Sequence, residues 1–513
     1  MTDQRASRVV YFQKYIPNSR VSIVLNLLVE RLRLQQIYAI IALSGWLLSG
    51  SSIYAQKEAL NESVENREEA SWKIARQIWE WAEPGYQESK SSTLLADTLE
   101  KAGFEVKRGV AKIPTAFTAT IGSGKPVIAV LGEYDALPEL SQDDVPFRKP
   151  RPGNIYGHAC GHNLFGTASV SACLALAEEI KKGNIKGTLR FYGCPAEEGG
   201  SAKAFMVRDG LFQDCDIALH WHPGSRNLVG DASCLSRAAV KFRFYGIASH
   251  AAAAPEKGRS ALDAAELCAH ATELLREHTP DFTRIHHTIT HGGGGAPNVV
   301  PEFAEMFFYV RHPDFREVQK LYPRLVKCAE AGALATETKL ETLYLGGTLE
   351  LMPNNTLAQA VKKNLVPLNR IHYSPEEMKF ALRIQETLSE KADLDLVRRV
   401  DDVSGSVGKG STDVGDVSWV VPTSGFYTAC FVPGTSAHSW QATAATGSSL
   451  GKQGMQLAAK TLAATAWDLY HDPKLIETAK EEFVRRLDGR KYQSLIPKDL
   501  NPPLNYRDPP KTK

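Results

Sequence analysis

Cys160 and His162 stand two residues apart in the glycine-bearing run Gly157-His158-Ala159-Cys160-Gly161-His162-Asn163. In an extended segment that spacing turns both side chains the same way, and a thiolate beside an imidazole suits a transition metal. Glu197 and Glu198 are adjacent at the end of a strand-like run. Adjacent carboxylates at a strand end point in different directions, so one can bind a metal while its neighbour takes a proton from water. His220 and His222, in Leu219-His220-Trp221-His222-Pro223, end the next strand-like run and share a face, so either or both can reach a site over a sheet edge. His438 lies in Gly434-Thr435-Ser436-Ala437-His438-Ser439-Trp440. Each of these features alone is commonly structural: a turn, a solvated acidic pair, a hydrogen-bonded histidine. Together Cys160, His162, Glu198, His220 or His222, and His438 supply about five ligands, enough for two divalent ions when one ligand is shared and water completes the shells. The chemistry that such a set would suit is metal-assisted hydrolysis.

These residues need elements to hold them. Residues 58–104 carry apolar side chains at helical spacing. The stretches 127–138, 188–198 and 216–223 are short β-rich runs, each ending in ionisable residues, with a helix-like run at 167–182 between the first two. Strands alternating with helices predict βαβ units and a mainly parallel or mixed sheet, with ligands beyond the carboxyl ends of the strands. From Ser236 the order becomes strand, helix, strand, helix, predicting an inserted β-α-β-β-α-β (ferredoxin-like) α+β unit over residues 236–346. The expected architecture is an α/β catalytic domain in two parts, 56–235 and 347–490, interrupted by that insertion. Residues 491–513 are expected to be a C-terminal extension, whose tail from Pro497, rich in Pro, Lys and Asn, reads as a surface extension.

Composition narrows the function classes. With 513 residues, 43% hydrophobic and 23% charged, the chain is globular and long enough for several domains. The first 55 residues hold six of the 60 basic and two of the 58 acidic residues, leaving a near-neutral body. That balance removes nucleic acid as an expected partner. Residues 37–55 carry no charge, follow Arg31 and Arg33, and end in small residues, so residues 1–55 read as a signal peptide or an uncleaved signal anchor. The expected location is periplasmic or secreted, with membrane anchoring as the alternative. Eight scattered cysteines lack the paired spacing of a disulfide framework.

The chain resembles the aminoacylase, hippurate hydrolase and carboxypeptidase G metallopeptidases. The likeness is to the branch with a Cys-x-His ligand pair, which holds proteins like the p-aminobenzoyl-glutamate hydrolase B subunit. It is carried by GEYDALPELSQ (132–142), GHACGHNLFGTA (157–168), RFYGCPAEEGGSAKAFMVRDG (190–210), WHPG (221–224), HAAAAPEKGRSALDA (250–264), PNVV (297–300) and STDVGDVSW (411–419). The resemblance implies that Cys160, His162, Glu198 and His438 are metal ligands, with either His222 or His220 as the strand-end ligand. It implies Glu197 as general base and Asp135 as the carboxylate orienting a ligand histidine. The inserted unit would be a lid and dimerisation domain whose His250 enters the partner's active site, with Asn298 and Arg311 holding the substrate carboxylate. Two departures stand out: Asn163 replaces a frequent aspartate, and Glu133 occupies a variable motif position.

The expected function is an exported amidohydrolase with two divalent ions per subunit, zinc or manganese, acting as a homodimer or with a homologous partner subunit. Its expected substrates are N-acyl or N-aroyl amino acids with a free carboxylate, p-aminobenzoyl-glutamate-like ones favoured. The alternatives are a dipeptidase or general N-acyl amino acid hydrolase and, from another class, a non-catalytic binding subunit. An intact Glu197 argues against the last.

Overall fold

A computed structural model describes residues 30–32 and 55–508. The targeting segment expected at residues 1–55 therefore falls almost wholly outside the described residues. Among those described, no helix is long and apolar enough to cross a membrane. The body of the chain, from Leu60 on, forms one compact unit.

Its central sheet has six strands. In chain order they are β1 (Glu105–Arg108), β2 (Phe117–Ser123), β3 (Val127–Glu133), β4 (Gly187–Cys194), β5 (Ile217–Leu219) and the short strand Thr423–Ser424. Across the sheet they run β1-β2-β4-β3-β5 and then Thr423–Ser424. The last four are parallel, whereas β1 and β2 pair antiparallel at one edge. Strand β3 reads VIAVLGE and is buried at every position, as expected of a parallel strand covered on both faces. Helix α1 (His162–Lys181) packs against β3 and is buried almost all round, which explains why its sequence has little polar face.

The second sheet has four antiparallel strands: β6 (Ser236–Tyr245), β7 (Arg284–His291), β8 (Phe303–His312) and β9 (Lys339–Thr348). Their spatial order is β9-β6-β8-β7, the ferredoxin-like arrangement, with helices α2 (Ala261–Arg276) and α3 (Phe315–Ala335) packed on it. Phe242 and Phe308 meet at 5.5 Å in the core of this layer, both fully buried. Truncating either to alanine would cost about 3–5 kcal/mol. A third sheet of four short strands, including His222–Gly224 and Phe426–Ala429, lies beyond β5 in the chain. Helix α4 (Ser449–His471) packs against α1 and contributes to the large central core.

One expectation changes. Residues 491–508 are not a surface extension, because Ile496 and Tyr506 are buried and Tyr344 donates a hydrogen bond to the Leu495 carbonyl at 3.0 Å. Apolar and aromatic residues scattered among the prolines supply anchors that the polar composition masks. All eight cysteines are free thiols, so the chain has no disulfide framework.

Candidate functional site

The carboxyl ends of β3, β4 and β5 converge on one cluster. Strand β3 delivers Glu133 and, just past it, Asp135; β4 leads into Glu197 and Glu198; β5 leads to His220 and His222. Cys160 and His162 come from the loop before α1. They do not lie in an extended segment: His162 is the first helical residue and Gly161 takes φ 80° between them. A side chain on Gly161 would also meet Pro223, the neighbour of His222, at 2.7 Å, so glycine allows both the turn and the close approach.

Among the described residues, three groups of side chains have potential ligand atoms within 4.8 Å of one another: Cys160, His162 and His222; Cys160, Glu198 and His438; Glu133, His162 and Glu197. Cys160 belongs to the first two. Its Sγ lies 3.4 Å from His222 Nε2, while His222 Nδ1 is 2.8 Å from the Pro223 carbonyl, which as acceptor fixes the proton on Nδ1. His162 Nδ1 is 2.8 Å from Asp135 Oδ1 in the same way, and Asp135 Oδ2 accepts the Glu198 backbone N–H at 2.9 Å. One carboxylate thus orients a ligand from each of the first two groups. His438 approaches from a separate loop, its Nε2 3.1 Å from Glu198 Oε1 and its backbone N–H bonded to the Ala159 carbonyl at 3.0 Å. Its φ of 60° is unusual for histidine.

The structure separates the two strand-end histidines. His222 joins Cys160 and His162, whereas His220 belongs to none of the three groups and packs over Gly425. Shared facing fails because the chain leaves β5 at Leu219 and starts a strand of another sheet at His222, so the two-residue period is interrupted.

Several atoms here are buried without a hydrogen bond, among them His162 Nε2 and Glu198 Oε1. His162 Nε2 is 3.1 Å from Glu133 Oε2 yet makes no hydrogen bond to it. Such aligned but unsatisfied donors fit a cation. The electrostatics agree. Burial and the Glu198 charge oppose ionisation of Cys160, but His222 and His162 outweigh them and bring the thiol down to about 5. Burial disfavours the charged form of His162, but Cys160, Glu133 and Asp135 raise it well above the usual range. Glu198 raises His438 to about 11. Concentrated anions demand positive charge, from protons or from metal. Burial, Glu133 and Glu198 push Glu197 well above the normal carboxylate range.

Behind the cluster lies a buried ionic group that the sequence motifs do not announce. Lys203 Nζ is 2.6 Å from both Glu133 Oε1 and Asp413 Oδ1. On the second sheet Arg311 pairs in register with Arg237. Both guanidiniums lie over the Tyr309 ring, at 5.3 and 4.8 Å, and each has a buried Nε without a partner. Arg237 was no candidate on sequence; its nearness to Arg311 follows from strand register.

His250 and Asn298 are exposed and held together, the Ala251 N–H donating to the Asn298 carbonyl at 2.9 Å. His250 Nδ1 accepts the backbone N–H groups of Ala252 at 3.2 Å and Ala253 at 3.1 Å. His250 belongs to none of the three ligand groups. His158, inside the Cys-x-His loop, is a buried structural histidine whose Nε2 is 3.1 Å from the Ile78 carbonyl.

Residues 129–465 match the model of peptidase family M20/M25/M40. The p-aminobenzoyl-glutamate hydrolase B subunit of Escherichia coli (strain K12) is 40% identical over 472 residues, covering 86% of this chain and 98% of that one. The Xaa-Arg dipeptidase of Mus musculus is 32% identical over 466 residues, covering 85% and 95%. Among solved structures, the aminobenzoyl-glutamate utilization protein from Klebsiella pneumoniae shares the fold with a TM-score of 0.56 at 18% identity, over 80% of this chain and 98% of that one.

Proposed function

The chain belongs to peptidase family M20/M25/M40 and is a metal-dependent amidohydrolase with a candidate dinuclear cluster; from that premise we propose the amide bond it cleaves. The substrate is an N-acyl or N-aroyl amino acid with a free carboxylate, and p-aminobenzoyl-glutamate is favoured. The observation that carries the two-ion reading is the place of Cys160 in two ligand groups at once.

Cys160, His162 and His222 would hold one divalent ion, and Cys160, Glu198 and His438 the other. Zinc or manganese bound there would supply Lewis acidity to the scissile carbonyl and acidify the attacking water. Glu197 takes the proton of that water and returns it to the departing amine. Asp135 keeps His162 and the Glu198 backbone in register.

The carboxylate of the substrate goes to Arg311 and Asn298, the buried Arg311 Nε having a hydrogen to donate. His250 acts across a homodimer formed through the second sheet. With Nδ1 accepting from its own turn, Nε2 is the ring nitrogen left to donate a hydrogen to the developing oxyanion. Export is part of the proposal and rests on the uncharged stretch 37–55. The aroyl preference is supported by the name and higher identity of the Escherichia coli relative; the mouse relative's name favours a dipeptidase as second reading.

Metal content and glutamate release from p-aminobenzoyl-glutamate, measured on one purified sample beside its Glu197→Ala variant, test this. Two metals per chain with release by wild type alone supports the proposal. Two metals with turnover of dipeptides instead moves the substrate to the second reading.

A further inference from the structure

The turn that carries Glu197 and Glu198 is strained. Ala196 and Ser201, neither of them glycine, take φ 51° and 58°, Gly199 takes 109°, and Glu198 itself leaves helical geometry at ψ 58°. At Ala196 and Ser201 such conformations are unfavourable for a residue with a Cβ and persist only where surrounding contacts over-determine them. The contacts can be named. Glu88 Oε1 accepts the Ala196 N–H at 2.8 Å, the Tyr86 hydroxyl donates to the Gly200 carbonyl at 2.6 Å, and Asp135 takes the Glu198 N–H. The Glu198 carbonyl is held from much further along the chain. It accepts the Tyr506 hydroxyl at 3.0 Å and Arg507 Nη2 at 2.5 Å.

Those two residues are themselves fixed. Tyr506 is buried and sets its ring edge-on to Tyr86 at 5.8 Å, so the groups gripping Gly200 and Glu198 brace each other. The Tyr506 carbonyl accepts Lys241 Nζ at 3.1 Å, and Lys241 is paired at 2.9 Å with Glu305 in the second sheet. Tyr506 is thus tied through its carbonyl to Lys241 of strand β6, and through Lys241 to Glu305 of β8, while its hydroxyl and the next residue, Arg507, hold the backbone of a candidate metal ligand; earlier in the segment the Leu495 carbonyl accepts the Tyr344 hydroxyl of β9 at 3.0 Å.

We propose that residues 491–508 form a positioning strap, in which Tyr506 and Arg507 hold the Glu198 carbonyl so that its carboxylate meets Cys160 and His438. The proposal rests on the two-ion reading above and assigns Tyr506 and Arg507 no part in the chemistry itself. A ligand held by outer contacts of this kind loses about 10–100-fold in metal affinity when they are removed. The strap touches Glu198, not the group formed by Cys160, His162 and His222, so the loss falls on one ion.

The test is calorimetric titration of zinc into the metal-free full chain, for wild type, Tyr506→Phe, Arg507→Met and the double variant. Tyr506→Phe keeps the ring against Tyr86 and removes only the hydroxyl, and Arg507→Lys is the conservative rescue. Asp508→Asn, which alters the contact to exposed Gln87, is the control on the same segment. Wild type should show two binding steps. The double variant should weaken one step by about 10–100-fold with the other within twofold, Arg507→Lys should recover part of the loss, and Asp508→Asn should match wild type. Two unchanged steps in the double variant would overturn the strap while leaving the dinuclear site intact, as would equal weakening of both steps with a lowered melting temperature. Fewer than two steps in wild type would overturn the two-ion reading and the strap with it.

Discussion

Lys203 and Asp413 hold each other twice, through an ammonium–carboxylate contact of 2.6 Å and through the Lys203 backbone N–H, which donates to the other oxygen of Asp413 at 2.9 Å. Both side chains are fully buried, and the same ammonium lies 2.6 Å from Glu133. A permanent cation therefore backs the ligand cluster and makes it tolerable to place Glu133 so close to His162.

Removing that cation leaves two carboxylates buried without compensation. Lys203→Met should destabilise the fold by about 3–5 kcal/mol, the usual result of breaking a buried ion pair from one side. Urea denaturation measures it; a loss under about 1 kcal/mol would show that water or protons replace the lysine readily.

Glu197→Gln keeps the shape of the side chain and removes its ability to take a proton. Turnover should fall by about 100- to 10,000-fold, with metal content unchanged. Equal loss of bound metal would instead make Glu197 a ligand in the group it forms with Glu133 and His162.

Asp135→Ala strips the acceptor from His162 Nδ1 and from the Glu198 N–H together. Both candidate ion sites should weaken by about 10–100-fold, in contrast to the one-sided effect expected at Tyr506 and Arg507. Competition with a coloured chelator distinguishes the patterns.

Asp416 should contribute a loss of stability as pH rises from about 4 to 7. Burial raises this carboxyl from 3.8 to about 7 in the folded chain. A raised folded value means that the folded state holds a proton the unfolded chain has released. The stabilisation is complete below the unfolded value and is lost as pH rises through the folded one. Asp416→Asn mimics the protonated acid, keeping an acceptor for the Leu349 N–H at Oδ2 and a partner for the Tyr492 hydroxyl. Relative to wild type, its denaturation midpoint should gain as pH rises over this range. Glu350, raised by burial to about 7, acts in the same direction and keeps some slope. A variant with the full wild-type slope would remove Asp416 from the account.

The legible part of this molecule was local. Strand runs ending in ionisable residues at 133–135, 197–198 and 220–222 announce a parallel sheet with chemistry at its carboxyl edge, and the strand–helix order after Ser236 announces the second sheet. Whatever depends on contacts between distant segments was hidden. Lys203 sits in an apolar helical run and gains meaning only from Asp413, 210 residues on. Tyr506 lies in a Pro-rich stretch and meets Glu198 across 308 residues. His220 and His222 could not be told apart because alternation assumes one continuous strand, and the chain changes sheets between them.

The central claim is that one thiolate joins two ion sites. Anomalous diffraction from crystals of the zinc-loaded protein, collected at the metal edge, tests it directly. The account predicts two peaks, each about 2.3 Å from Cys160 Sγ, one also against His162 and His222 and the other against Glu198 and His438. A single peak, or a peak seated among Glu133, His162 and Glu197 and away from Cys160, would contradict it.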